Sequence, residues 1–103
     1  MTIVTVFRSR LRPGIEGEYE KVASELSAIV REMDGFLDER FFSSDNGERV
    51  TIVRFADRRS HQAWAKQPEH VRAQDRGRSE FYAWYDITVA EETHHHWFES
   101  PSE

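Results

Sequence analysis

Apolar and β-branched residues alternate in position along the start of the chain. Over residues 2–11 the side chains fall on two sides of an extended backbone, with Ile3, Thr5 and Phe7 on one side and Val4 and Val6 on the other. A two-residue period of this kind predicts a β-strand. Because both sides carry apolar residues, we expect both faces of the sheet that contains this strand to be covered.

The period of the apolar residues then lengthens. Pro13 and Gly14 end the strand, and apolar residues recur afterwards at steps of four and three: Ile15, Tyr19, Val22, Leu26, Ile29 and Met33. This spacing predicts an amphipathic helix. We expect Gly35 to end the helix, since glycine readily adopts the left-handed conformation that closes many helices.

Two strands and a polar turn follow the helix. Residues 36–42 and 49–56 are rich in apolar and aromatic residues, and the sequence SSDNGE between them is typical of a turn. The pattern therefore predicts a hairpin.

The second half of the chain begins with helical signals and ends with a strand. Asp57 is suited to cap a helix that runs through Trp64, and Pro68 is suited to begin a second short helix that ends at Gly77. Residues 81–89 alternate again, which predicts a last strand or a short helical lead into one. Five residues would share one face of this strand: Phe81, Ala83, Tyr85, Ile87 and Val89.

The order of these elements is βαββαβ. It predicts an α+β fold of the ferredoxin-like type, with a four-stranded antiparallel sheet and helices on one face. Since helices cover only one face and the strands are apolar on both, we expect two subunits to pack sheet against sheet as a homodimer, a dimeric α+β barrel. We expect one domain over residues 1–92 and a C-terminal tail over residues 93–103.

Charge and composition argue against several classes of function. The 103 residues include 14 Lys and Arg, scattered singly, against 19 Asp and Glu, for a net charge of −5. We expect no nucleic-acid partner, because phosphate binding needs a coherent basic face. The chain lacks an apolar run of membrane-spanning length and a secretion signal, so we expect no membrane association and a cytoplasmic location. The absence of cysteine excludes disulfides and thiolate catalysis.

Three consecutive histidines are the candidates for metal ligation. On an extended segment His94 and His96 would project to the same side, but two imidazoles fall short of the three or four ligands of a zinc site. We therefore predict no metal site and interpret His94, His95 and His96 as part of a solvated tail.

His70 is the residue whose side chain is best suited to catalysis. It follows Trp64 on the predicted short helix, and Gln74 lies four residues later on the same face. An imidazole with a pKa near neutrality can accept a proton from an acidic phenol or enol. A partly buried, hydrogen-bonding role is the alternative. The aromatic residues nearby could wall a cavity for a flat ligand or fill the core or the dimer interface: Trp64, Phe81, Tyr82, Trp84 and Tyr85.

From about residue 2 to residue 92 the chain resembles the antibiotic biosynthesis monooxygenase family. The similarity rests on the opening TIVTVFRSRLRPG before an amphipathic helix, on REMDGFLDERFF, and on the hairpin into VTIVRFADRRSHQAWAKQPEH. The most characteristic pieces are MDGF at the end of the helix and the W-x(3)-PEH segment.

The resemblance implies a pocket between sheet and helices, where a small phenolic, quinol or polyketide-like aromatic substrate meets O2 without a cofactor. It implies His70 as the catalytic base. The residues expected to bind or surround the substrate are Trp64, Gln74, Arg78, Phe7, Phe55, Thr51 and Tyr85. Because the same barrel serves several reactions, a haem-binding or haem-degrading protein and a non-catalytic ligand-binding dimer are alternatives.

Several positions depart from the family pattern. Members that oxygenate polyketides carry an asparagine and, four residues later, a tryptophan on the third strand, where this chain has Thr51 and Phe55. Haem-degrading members carry an asparagine on the first strand, where this chain has Phe7. Their haem-ligating histidine follows the tryptophan by nine or ten residues, where this chain has Ala73 and Gln74.

A further departure concerns His70 itself. Many quinol-type members read PHF where this chain reads PEH. His70 therefore takes the position of an aromatic residue that faces the pocket, either as a chemical group or as a packing substitution.

Overall fold

The computed structural model describes residues 1–102; Glu103, the last residue of the predicted tail, lies outside the described residues. The elements follow in the order β1 (Ile3–Leu11), α1 (Glu16–Arg31), β2 (Phe36–Ser43), β3 (Arg49–Phe55), α2 (Arg58–Ala65), α3 (Pro68–Arg76), a π-helical turn (Gly77–Phe81) and β4 (Tyr82–Glu91). This order confirms the predicted βαββαβ arrangement, with the second helical region divided into α2 and α3.

The four strands form one antiparallel sheet in the order β2-β3-β1-β4. In β1, Phe7 lies opposite Thr51 of β3 and opposite Ile87 of β4. Residues directly opposite each other in an antiparallel sheet share a face, so these three side chains lie on the same side. This is the ferredoxin-like fold that the sequence predicted.

The helices pack on one face of the sheet, called here the helix face. Its core contains four almost fully buried apolar side chains: Ile3, Val30, Phe55 and Phe81. On the same face, the hydroxyl of Ser27 in α1 donates a hydrogen bond of 2.6 Å to Glu39 of β2. The guanidinium of Arg49 lies over the ring of Tyr19, 5.0 Å from its centroid, which ties α1 to β3.

The start signals at Asp57 and Pro68 are confirmed, and the residue that caps α3 is Gln67. The carboxylate of Asp57 accepts a hydrogen bond from the backbone N–H of Ser60 at 2.8 Å, and Pro68 occupies the first turn of α3. The prediction that Gly35 ends the first helix was wrong, because α1 ends at Arg31 with Glu32 as its C-cap; Gly35, with a φ of 81°, lies in the turn before β2. Gly77 is the C-cap of α3, as predicted, and the backbone then continues through a π-helical turn to Phe81.

The alternation predicted for the last strand was wrong at its start. Tyr82 lies opposite Leu11 and Trp84 lies opposite Arg10, with a shift of register between the two pairs. An extra residue in one strand is a β-bulge, which turns the preceding side chain to the other face. Tyr82 therefore joins Tyr85 on the helix face, with ring centroids 5.8 Å apart.

The other side of the sheet, called here the open face, carries no helix. Val4, Val6 and Ile52 lie on it and are half-buried. Arg54 of β3 also lies there and bonds Glu92 and Asp38, with distances of 2.9 and 2.7 Å.

The segment after β4 has neither helix nor strand over residues 92–102. Its aromatic side chains, Trp97 and Phe98, are 72% and 73% exposed. Within residues 1–102, no helix has both the length and the apolar character needed to cross a membrane.

Candidate functional site

His70 is held by three contacts at the start of α3. Its backbone N–H donates to the side chain of Gln67, which caps the helix, at 2.9 Å. Its imidazole Nδ1 lies 2.9 Å from the backbone oxygen of Trp64. The imidazole also stacks on the Trp64 indole, with ring centroids 4.1 Å apart and an interplanar angle of 10°. The half-buried ring is therefore fixed both in position and in orientation.

The hydrogen bond to Trp64 fixes the tautomer of His70. A backbone oxygen only accepts hydrogen bonds, so Nδ1 must carry the proton and the neutral ring keeps its lone pair on Nε2. Burial lowers the pKa of His70; the bond to the Trp64 oxygen opposes this shift, and the nearby His61 adds to it. At neutral pH the ring is thus an uncharged base with one free nitrogen.

A second histidine lies close to the first, and the sequence pattern did not single it out. His61 of α2 places Nε2 3.3 Å from the hydroxyl oxygen of Thr5 in β1. Its ring meets Phe55 edge-on, with centroids 6.0 Å apart. Burial lowers the pKa of His61. The available signal in the sequence was its spacing, since His61 precedes Trp64 by three residues and such residues are neighbours on a helix surface.

An aromatic group continues from Thr5 along the helix face. Phe7 stacks on Tyr85 with centroids 5.5 Å apart and meets Tyr82 edge-on at 5.4 Å. Burial, with Tyr19 nearby, raises the pKa of Tyr82, so this phenol is uncharged at neutral pH. Because Thr5 and Phe7 are two residues apart in one strand, roughly 7 Å separates their side chains.

The far end of the aromatic group carries a cation. The pKa of Arg78 is raised mainly by its interaction with Tyr85. The Arg78 guanidinium also donates a hydrogen bond to the carboxylate of Asp75 at 2.6 Å. Beyond Tyr85, Ile87 and Val89 lie on the same face of β4 and are 51% and 50% exposed. The aromatic group is therefore open to solvent along β4.

Most of the residues expected at the site fall into two groups. Trp64 and His70 stack in one group, and Phe7, Tyr85 and Arg78 belong to the other, with Thr51 paired to Phe7 in the sheet.

Two of the expected residues lie outside both groups. Phe55 is fully buried, with 0% of its surface exposed, and packs in the core. The side chain of Gln74 is exposed on α3.

Two shallow depressions lie elsewhere on the surface. One, of about 220 Å³, runs between α1 and α3 and is lined by Leu26, Ile29 and Arg72 among others. The other, of about 150 Å³, lies at the β2–β3 hairpin beside Phe42 and Val50. Within residues 1–102, no three His, Asp or Glu side chains are grouped as metal ligands would be.

The sequence pattern of the family described as antibiotic biosynthesis monooxygenase matches residues 2–76. The chain belongs to this family. A comparison of the whole sequence with curated proteins finds no match.

Solved structures share the fold of this family member. The Mycobacterium tuberculosis protein Rv0793 is 16% identical, with a TM-score of 0.82 over 92% of this chain and 98% of its own. A variant of SnoaB, a cofactor-independent oxygenase from Streptomyces nogalater, is 16% identical, with a TM-score of 0.77 over 91% and 95%. PA3566 from Pseudomonas aeruginosa is also 16% identical, with a TM-score of 0.75 over 90% and 95%. At these identities the likeness concerns the fold alone.

Proposed function

We propose that this protein is a cofactor-independent monooxygenase that uses O2 to oxidise a small phenolic, quinol or polyketide-like aromatic substrate. Membership of the family supports a monooxygenase in general terms. SnoaB, which has the same fold, is itself a cofactor-independent oxygenase. The observation that carries the proposal is His70, a half-buried neutral imidazole whose Nε2 is free to take a proton.

The first step is removal of a proton from a phenolic or enolic oxygen by Nε2 of His70. Nδ1 keeps its own proton and its bond to the Trp64 oxygen throughout, so the imidazolium that forms is stabilised at that end. A base with a pKa near or somewhat below the working pH suits this transfer. The resulting anion is the electron-rich species that reacts with O2.

The second step joins O2 to carbon. The anion passes one electron to O2, and the substrate radical and superoxide combine to form a C–O bond, giving a peroxide anion. His70 returns its proton to the distal oxygen. Loss of the remaining proton from the oxygenated carbon, with cleavage of the O–O bond, gives a C=O group and hydroxide, which takes up that proton to become water. One oxygen atom enters the product and the other leaves as water, so a CH2 group is converted to a carbonyl.

The aromatic surfaces suit a flat substrate. The Trp64 indole and the stacked Phe7 and Tyr85 rings offer apolar surfaces, and aromatic rings favour offset or edge-on contacts with a planar ligand. Arg78, beside Tyr85, supplies a cation for a substrate oxygen remote from the reacting carbon.

We also propose that the protein is a homodimer joined through the open face. Val4, Val6 and Ile52 present apolar side chains there, and Trp84 of β4 on the same face is 36% exposed. Burial of this surface against a second copy would cover the side of the sheet that the helices leave bare.

O2 uptake tests the proposed function. Purified protein is incubated with a panel of dihydroquinones and anthrones, and wild type is compared with His70→Ala and with His70→Phe, which keeps a ring on Trp64 but has no base. We expect catalysed uptake by wild type and a loss of about 100-fold or more in both variants. His94→Gln, in the exposed tail, is the matched control and should keep the wild-type rate.

Three results would contradict the proposal. Equal rates in wild type and the His70 variants would remove His70 as the base. A Soret shift on titration with hemin would favour a haem protein instead. Retention of an aromatic ligand without turnover would favour a binding protein.

A further inference from the structure

His61 and His70 have hydrogen-bond partners of different kinds, because a hydroxyl can donate as well as accept whereas a backbone oxygen can only accept. His70 bonds a backbone oxygen, which only accepts, so its bonded nitrogen must carry a proton. His61 bonds a hydroxyl, which has a proton to donate. Among residues 1–102, the hydrogen bond of the Thr5 hydroxyl is the one with His61, so the hydroxyl proton is available for Nε2 of His61.

This difference gives the two neutral rings different chemical properties. When Thr5 donates to Nε2 of His61, the proton of the neutral His61 ring resides on Nδ1, and the ring offers an N–H donor. His70 offers a lone pair on Nε2. Burial lowers the pKa of both rings, which keeps both uncharged at neutral pH.

Both histidines are neighbours of Trp64. His61 precedes Trp64 by one helical turn on α2, a spacing that makes their side chains neighbours on the helix surface, and the His70 ring stacks on the indole at 4.1 Å. A positive charge on His61 would lower the pKa of His70 further. The bond to Thr5 of β1 and the edge-on contact with Phe55 anchor His61 against the sheet.

We infer that His61 is a second catalytic residue, which donates a hydrogen bond to the distal oxygen of the substrate peroxide. The inference rests on the proposed monooxygenase function and assigns the second half of the reaction. In that half, His70 removes the remaining proton from the oxygenated carbon and the C–H electrons form the C=O bond. The O–O bond breaks, and the departing hydroxide, hydrogen-bonded by His61, takes the proton from His70 to become water.

A hydrogen-bond donor beside the distal oxygen of the peroxide would stabilise the transition state electrostatically. Negative charge develops on the distal oxygen as the O–O bond breaks, and a donor held in a fixed position stabilises that charge. Removal of one such donor typically slows a reaction by about 100- to 1000-fold. Without it, the peroxide adduct persists long enough to leave the protein, so that one peroxide is released for each O2 consumed.

Tautomers provide the first test, and it requires no substrate. Nitrogen-15 NMR of the imidazoles should show the proton of neutral His61 on Nδ1, as for His70. In Thr5→Val, which removes the hydroxyl and keeps the shape, the His61 signals should move towards the Nε2–H tautomer. A wild-type His61 with its proton on Nε2 would overturn the inference, whatever the enzyme activity.

The second test measures peroxide released per O2 consumed, with anthrone as the probe. We expect almost no peroxide from wild type, close to one per O2 from His61→Phe, and an intermediate value from His61→Gln, whose amide retains a donor. His94→Gln should behave as wild type. If His61→Phe fails to fold, Thr5→Val replaces it and should also raise the ratio.

The outcomes separate the two proposals. Catalysed O2 uptake by wild type with an unchanged peroxide ratio in the His61 and Thr5 variants would overturn the role of His61 and leave the monooxygenase function standing. No catalysed O2 uptake by wild type would overturn both.

Discussion

His70 lies parallel to the Trp64 indole, and the same residue also provides the backbone oxygen that binds its Nδ1. Trp64 thus holds the imidazole from two directions, with its side chain against the ring face and its backbone at the ring edge. The stack buries one face of His70, while the backbone bond determines which nitrogen is free. These two contacts can be separated by mutation, because only the first depends on the side chain of Trp64.

Removal of the indole should raise the pKa of His70. In Trp64→Ala the ring loses its stacking partner and gains solvent, so its pKa should move up towards the ordinary value of about 6.5. Trp64→Phe keeps an aromatic face and should produce a smaller rise. NMR titration of the histidine C–H resonances measures both. An unchanged His70 pKa in Trp64→Ala would show that burial by the indole is not the cause of the shift.

The free energy of unfolding should fall as the pH is lowered from 7.5 to 5.5. In the unfolded chain His61 and His70 titrate near 6.5, whereas burial lowers both pKa values in the folded chain. The unfolded state therefore binds more protons in this range, and acid favours it. Urea unfolding at several pH values measures the slope.

The double variant His61→Gln, His70→Gln is the control for this pH dependence. It should have a flatter slope over the same range. Asp57 and Glu92, whose pKa values are lowered by hydrogen bonds from Ser60 and Arg54, lose their charges only at more acidic pH. A slope of wild-type size in the double variant would assign the effect to other groups.

Arg54→Met should destabilise the fold by about 1–3 kcal/mol. Arg54 is 18% exposed and holds two carboxylates, those of Asp38 and Glu92, which would be left without their shared cation. The ion pair of Arg58 and Glu91 is exposed, and Arg58→Met should have little effect because water screens such pairs. Urea denaturation compares the variants; similar losses in both would show that burial does not distinguish the two ion pairs.

Light scattering should give a mass of about twice the 12.2 kDa of one chain. Ile52→Lys places a charge on the open face and should shift the mass towards that of the monomer. Val71→Asp, at an exposed position of α3, is the matched control and should remain dimeric. A wild-type mass near 12.2 kDa would contradict the dimer.

Gly35 and Gly17 should respond in opposite directions to substitution by alanine. Gly35 has a φ of 81°, and an added Cβ would overlap the side chain of Ser60, so Gly35→Ala should cost about 1–3 kcal/mol. Gly17 lies within α1 with open space around it, so Gly17→Ala should stabilise by about 0.5 kcal/mol. Thermal and urea unfolding measure both. A neutral Gly35→Ala would indicate that the turn rearranges.

The order and type of the elements could be predicted because they depend on local spacing. A period of two or of about 3.6 is visible in any short window, and the start signals at Asp57 and Pro68 act within one turn of their own positions. The resemblance further drew attention to His70 and Trp64, which the fold brings into contact. Their stacking could be anticipated in outline, since the two residues lie only six positions apart in the chain.

The sequence by itself therefore determined the ferredoxin-like order of strands and helices, the acidic charge and the absence of cysteine chemistry. Tertiary structure decided the rest, because it depends on residues far apart in the chain. The bulge that turns Tyr82 to the helix face follows from the pairing of β4 with β1. The hydrogen bond of His61 is made with Thr5, 56 positions away in the chain. The Thr5 hydroxyl can donate a hydrogen bond, whereas the backbone oxygen that binds His70 can only accept one.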